Sequence, residues 1–146
     1  MRPVYGPLPG SISLLLDAAP DLVIVAAQHE VRAAGLAVVS VAADEGYLET
    51  DWYDVVTRRT VSARARNFDH TVKLRLFADP TAGKTRLVAE CVRRIAYDPS
   101  EPDRDLQRMV PDSTPEHAIL DSLVARLKLV FPPPKPRADS TGAQQP

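Results

Sequence analysis

A chain of 146 residues that is 45% hydrophobic and 25% charged has an ordinary globular composition, and its net charge of −1 gives no whole-molecule attraction to nucleic acid or an anionic membrane. Cys91 is the only cysteine, which excludes an internal disulfide and a thiolate metal cluster within one chain. The longest apolar run near the start, residues 12–16, is broken by Ser13 and is too short for a secretory core or a bilayer span.

Residues 1–10 carry three prolines and two glycines and read as an irregular arm. Residues 11–16 form a short first strand. Pro20 suits the first position of a helix, Asp21 favours its positive end, and Gly35 marks its stop. Between them Val23, Ile24, Ala27, Val31 and Ala34 fall within an arc of about 100°, so one side of this helix is buried.

Residues 36–56 read as two antiparallel strands turning at Asp44, Glu45 and Gly46. Strict alternation after Tyr47 sends Leu48, Trp52 and Val56 to one side and Glu49, Asp51 and Tyr53 to the other. That pattern makes Trp52 the anchor of the face beneath the helices. Residues 57–67 give a third strand or its approach, with arginines on the wet face. Val72, Leu74 and Leu76 alternate with Lys73 and Arg75 in a further strand.

Residues 79–83 are a turn, and residues 85–97 form a long strand in which Leu87, Ala89, Cys91, Ile95 and Tyr97 share a parity. Arg93 has that parity too, which predicts a bulge or the end of the buried patch there. Residues 98–115, with four prolines, form a long excursion with little regular structure. Ser113, Thr114, Pro115 and Glu116 announce a last helix through a capping box. Its stripe is Ile119, Leu120, Leu123, Val124, Leu127 and Val130, and Pro132 to Pro134 end it.

The predicted fold class is α+β: an antiparallel sheet of four to five strands with two helices packed on one face, in the manner of a helix-grip. The domain runs over residues 11–131, after the arm 1–10 and before a proline-rich disordered tail, 132–146. About 130 residues bury enough surface to fold without cross-links.

Signals for chemistry are weak. ADPTAGKT (78–85) matches a relaxed phosphate-loop pattern, but the residues after Lys84 alternate like a strand, so it reads as a hairpin turn. His29, His70 and His117 are not spaced as ligands, and Asp69 beside His70 lacks a recognisable nucleophile. Asp44, Glu45, Glu49, Asp51 and Asp54 read as a solvated acidic cluster. These readings predict no catalytic, cofactor-binding or metal-binding residues. Arg58, Arg59, Arg64 and Arg66, with Lys73 and Arg75, would line a basic strip, balanced by cross-strand partners Asp51, Tyr53 and Asp54. The candidate interaction surface is therefore Arg58, Arg59, Arg64, Arg66, Asp51 and Tyr53.

VRAAGLAVVSVAADEGYLETDWYD (31–54) resembles a segment of the BamC-like (NlpB/DapX) envelope lipoprotein domains, in which a helix leads through a glycine and a valine-rich strand to a turn and an acidic, aromatic strand. The rest of the chain matches by topology. The resemblance implies a helix-grip fold, a periplasmic or membrane-peripheral setting, and a non-enzymatic role in an outer-membrane assembly complex. Members carry a lipid-modified cysteine near the N-terminus. This sequence has no cysteine before Cys91 and, as given, no signal peptide or lipobox.

The expected function is that of a non-catalytic accessory or scaffolding subunit that binds protein partners in a membrane-protein complex, without nucleic acid, a cofactor or a transmembrane segment of its own. The arm, the long loop and the tail would supply the contacts. The alternatives are a small-ligand binder using the cleft between helix and sheet, favoured by an apolar cavity there that Trp52 and Leu123 leave open, and a small hydrolase or isomerase, favoured by Asp69, His70 and an acid meeting in a pocket.

Overall fold

The structure is a computed structural model and describes residues 1–62, 64 and 68–132. In chain order come β1 (Ile12–Leu16), α1 (Pro20–Ala33), β2 (Val38–Ala42), β3 (Tyr47–Thr50), β4 (Tyr53–Asp54), β5 (Arg59–Thr60), β6 (Thr71–Thr81), β7 (Lys84–Arg94), β8 (Gln107–Met109) and α2 (Ala118–Val130). The architecture is α+β. An antiparallel sheet runs β1-β7-β6-β3-β2, with β8 continuing beside β7 after β1, and the β4–β5 ribbon continuing beside β6 after β3. Among the described residues eight strands replace the four or five expected, because three short ones, β4, β5 and β8, extend the sheet.

Helix α1 follows its sequence signals. Pro20 opens it, and Gly35, at φ 98°, closes it in a Schellman turn: Gly35 N–H donates to Arg32 O and Leu36 N–H to Val31 O, both at 3.0 Å. Val23, Ile24, Ala27 and Val31 are buried, as their spacing requires. They meet Leu48, Leu74, Leu76, Leu87 and Cys91 of the sheet and Leu120, Leu123, Val124 and Leu127 of α2, so both helices cover one face. Val130, expected in that stripe, is exposed. A single-turn 3-10 helix, Pro115–His117, precedes α2, and no side-chain cap forms. Glu116 bonds His70 instead of closing a capping box.

The β2–β3 hairpin turns through a 3-10 turn, Ala43–Glu45, and Gly46 at φ 69°. Only glycine fits there, because an added Cβ would lie 2.0 Å from Ala78 O on β6. The β6–β7 hairpin turns on Ala82 and Gly83, both at positive φ, as a two-residue turn with matching twist requires. The turn expected over 79–83 is narrower: Asp79, Pro80 and Thr81 still pair with β7, and Lys84 is already in a strand.

The second strand of the central hairpin departs from strict alternation. Glu49 stands opposite Arg75 and Tyr53 opposite Val72, so four steps along one strand match three along the other. The extra residue is a bulge, and it reverses the facing of everything after it. Leu48 and Tyr53 join the helix-side core, whereas Trp52, although buried, packs across the sheet against Lys73 and Arg94. Val56 is exposed. Of the strand expected over 57–67, the described part is Arg59–Thr60. Arg93 is exposed with β7 in register opposite β8, so the buried patch ends there without a bulge.

The other face of the sheet is also covered, by the arm and by residues 95–107. It holds Tyr47, Phe77 and Val92 among charged side chains. Lys73 and Arg75, expected on a wet face, are 7% and 3% exposed, and Glu90 on the neighbouring strand is fully enclosed. The proline-rich excursion is ordered too, through the 3-10 turn Asp103–Leu106 and β8. The tail expected at 132–146 lies, after Pro132, outside the described residues.

Candidate functional site

Three sets of side chains converge on chemistry. The first is the charged layer on the face away from the helices. Glu90 accepts hydrogen bonds from Arg75 at 2.9 Å, from Arg104 and from the Leu8 N–H at 3.0 Å. Arg75 also donates to Gln107 at 2.6 Å, and Lys73 to Glu49 at 2.7 Å. Burial pushes the Glu90 carboxyl up, but the bonds from Arg104, Leu8 and Arg75 outweigh it and hold the group below the usual carboxylate range. Burial also pushes Glu49 up, and Lys73, Tyr47 and Arg75 outweigh it in the same way. The Tyr5 ring lies 4.3 Å from the Arg104 guanidinium and 5.6 Å from that of Arg75. Arg94 packs against Trp52, Phe68 and Tyr97 and pairs with Asp103 at 2.8 Å. Every charge here has an opposite beside it, and the arm seals the layer, so it acts as a polar second core.

The second set is an open groove of about 940 Å³ that gathers Asp69, His70, Glu116 and Arg93. His70 Nδ1 lies 2.6 Å from Glu116 Oε2. That bond raises the His70 pKa above its ordinary value, and lowers that of Glu116. A histidine oriented by a carboxylate has the form of a catalytic dyad. However, the two threonine hydroxyls of the groove are engaged, Thr71 donating to Asp69 O at 3.3 Å and Thr114 to Pro111 O at 2.7 Å. Cys91 lies in the core, where burial pushes its thiol up. His117 is buried against Asp121 at 3.0 Å.

The third set is a cleft of about 440 Å³ between the end of α1, the start of α2 and the β4–β5 ribbon. Val31, Leu36, Val55, Leu74, Ile119 and Leu123 make its apolar wall. Tyr53 and Arg58 line it from the ribbon, and Glu30 and Arg126 face each other at 3.6 Å across its rim. Tyr53 is 4% exposed, and its hydroxyl has no hydrogen-bond partner among the described residues. Arg58 sits at φ 59° in the turn from β4 to β5, and its guanidinium is likewise unpaired. The turn is fixed by Asp54, whose carboxylate accepts from Val56 N–H and Thr57 N–H at 2.8 and 3.0 Å and whose carbonyl accepts from Arg58 N–H at 2.8 Å.

The six residues expected to form one interaction surface are thus divided. Tyr53 and Arg58 meet in the cleft. Arg59 and Arg64 are exposed elsewhere, and Arg66 lies outside the described residues. The Asp51 carboxylate accepts from the Trp52 N–H at 2.8 Å. The basic strip loses Lys73 and Arg75 to the buried layer. Asp54 faces Arg59 in register, but its carboxylate serves the turn. Sequence reasoning missed Glu90, Arg104 and Gln107: Glu90 carried the signal of a charged residue between apolar Ala89 and Cys91 in a strand, whereas Arg104, between two aspartates in a 3-10 turn, and the neutral Gln107 carried none.

Among the described residues no helix is long and apolar enough to cross a membrane, and no group of His, Cys, Asp and Glu is placed to hold a metal ion. Compared with known proteins, the chain matches no family model and no curated protein.

Proposed function

We propose that this protein is a non-catalytic binding domain that takes a small, largely apolar ligand in the cleft between α1 and α2. The observation that carries the reading is the cleft itself: about 440 Å³ with an apolar wall on one side and a polar rim of Glu30, Arg58, Ser122 and Arg126, and with Trp52 on the opposite face of the sheet and so unable to plug it. That volume is within the range of small-molecule sites. The test is titration with N-phenyl-1-naphthylamine, a neutral dye that brightens in apolar surroundings. Saturable binding to the wild type that disappears in Ile119→Trp and in Ser122→Phe supports the proposal. Dye binding untouched by both substitutions places the ligand elsewhere and overturns it.

The second reading is docking of a protein partner, the accessory role implied by the likeness of residues 31–54 to BamC-like domains. What favours it is β2, an edge strand on which Val39 and Val41 are 51% and 39% exposed. Open edges with apolar side chains invite strand addition. A partner co-purified from native membranes by the wild type and lost with Val39→Lys and Val41→Lys would support this reading. Retention of that partner by both variants would sink it.

A further inference from the structure

The cleft contains two polar groups that the protein itself does not use. Tyr53 is buried except for a hydroxyl with no partner among the described residues, beside Gly35, whose Cβ, if present, would be 3.5 Å away. The ring is enclosed and the hydroxyl opens on the cleft, where it is free to bond a ligand atom. Arg58 is the second. Its backbone is held in the left-handed region, a costly conformation for arginine, by the three hydrogen bonds that Asp54 accepts. The Arg58 side chain lines the cleft while exposed to solvent, and no carboxylate among the described residues pairs with it.

The remaining charges at the cleft come close to cancelling. Glu30 and Arg126 offset each other across the rim. The C-terminal end of α1 and the N-terminal end of α2 both line the cleft, and their dipoles have opposite sign there. Arg58 therefore sets the sign of the site. We infer that the ligand is an amphipathic carboxylate, its apolar tail against Val31, Leu36, Leu74 and Leu123 and its carboxylate bound by the Arg58 guanidinium and the Tyr53 hydroxyl. A guanidinium can hold both carboxylate oxygens at once, and a charge-assisted bond is stronger than a neutral one.

This inference rests on the cleft being the binding site, and the experiment separates the two. Decanoate and decanol compete against N-phenyl-1-naphthylamine on the wild type, Arg58→Gln and Tyr53→Phe. The expected result is that decanoate binds the wild type at least about tenfold more tightly than decanol. Arg58→Gln should weaken decanoate about tenfold or more and leave decanol unchanged, in line with the loss of one charged hydrogen bond. Tyr53→Phe should weaken decanoate by a smaller factor. If the dye binds, blocked by Ile119→Trp, but decanoate has no advantage or keeps its affinity in Arg58→Gln, the head-group assignment is wrong while the cleft stands. If neither dye nor either chain compound binds, the cleft reading falls and takes this inference with it.

Discussion

Arg75 and Glu90 stand directly opposite each other on adjacent strands, and their side chains meet at 2.9 Å where Glu90 has no contact with solvent. The pair lies near the middle of a sheet face that alternation alone assigns to water, and it is sealed there by Leu8, Arg104 and Gln107.

Removing Glu90 takes the carboxylate from Arg104 and leaves Arg75 with Glu49 alone, at 3.4 Å. Glu90→Ala is expected to cost about 3–5 kcal/mol, the range for breaking a buried pair from one side. Urea unfolding measures it, and a loss under about 1 kcal/mol would mean that water reaches the site. Because the Glu90 pKa is lowered on folding, its contribution is present above the ordinary carboxylate pKa and is lost as pH falls through the folded value. Stability should therefore drop below about pH 4.3, the ordinary glutamate value, and less steeply in Glu90→Gln.

The arm is part of the domain and not a free tether. Tyr5→Ala removes a ring stacked on Arg104 and Arg75 and is expected to cost about 1–2 kcal/mol. Hydrogen exchange at the Leu8 amide, protected in the wild type by its bond to Glu90, should accelerate in that variant. Unchanged exchange would show that Tyr5 does not hold the arm down.

His70 and Glu116 predict a second pH dependence, of opposite sense at its upper limb. The folded His70 pKa is raised, chiefly by its hydrogen bond to Glu116, so its contribution is full below the ordinary histidine value and fades as pH rises through the folded one. Glu116 is lowered, chiefly by the same bond, so its contribution fades as pH falls through its folded value. The pair is thus strongest between the ordinary Glu and His values, roughly pH 4.3 to 6.5. An NMR titration should place the His70 midpoint above that of a solvent histidine, and Glu116→Gln should bring it back down; equal midpoints in both proteins would refute the pairing.

Two glycines at positive φ should respond differently to alanine. Gly83→Ala meets no atom within 4 Å and should cost about 1–2 kcal/mol of backbone strain. Gly46→Ala adds a collision with Ala78 O and should cost clearly more, or prevent folding. Thermal unfolding of the two proteins side by side decides it, and equal melting temperatures would mean that β6 yields at Gly46.

Much of the fold was legible in the sequence because its signals are local. Pro20, Gly35 and the spacing of Val23 to Val31 define α1 within the reach of one helix. The turns at Gly46 and Gly83 follow from glycine's freedom of φ, and the parity of Val72 to Leu76 and of Leu87 to Cys91 defines the two long strands. Of the six candidate site residues, Tyr53 and Arg58 reached the cleft, and nothing in their spacing said that α1 and α2 would complete it.

The sequence by itself determined the span of α1, the glycines on which the two hairpins turn, the apolar side of each helix, and the α+β class. Only the tertiary structure decided which face the residues at the end of the central hairpin, Trp52 and Tyr53, occupy. A bulge moves one residue and exchanges the two faces, and periodicity has no record of the partner strand that demands it. That exchange placed Trp52 among cations and Tyr53 in the cleft. Whether Arg75 and Glu90 meet water was decided by the arm and residues 95–107, because burial is a property of what folds over a strand, not of the strand.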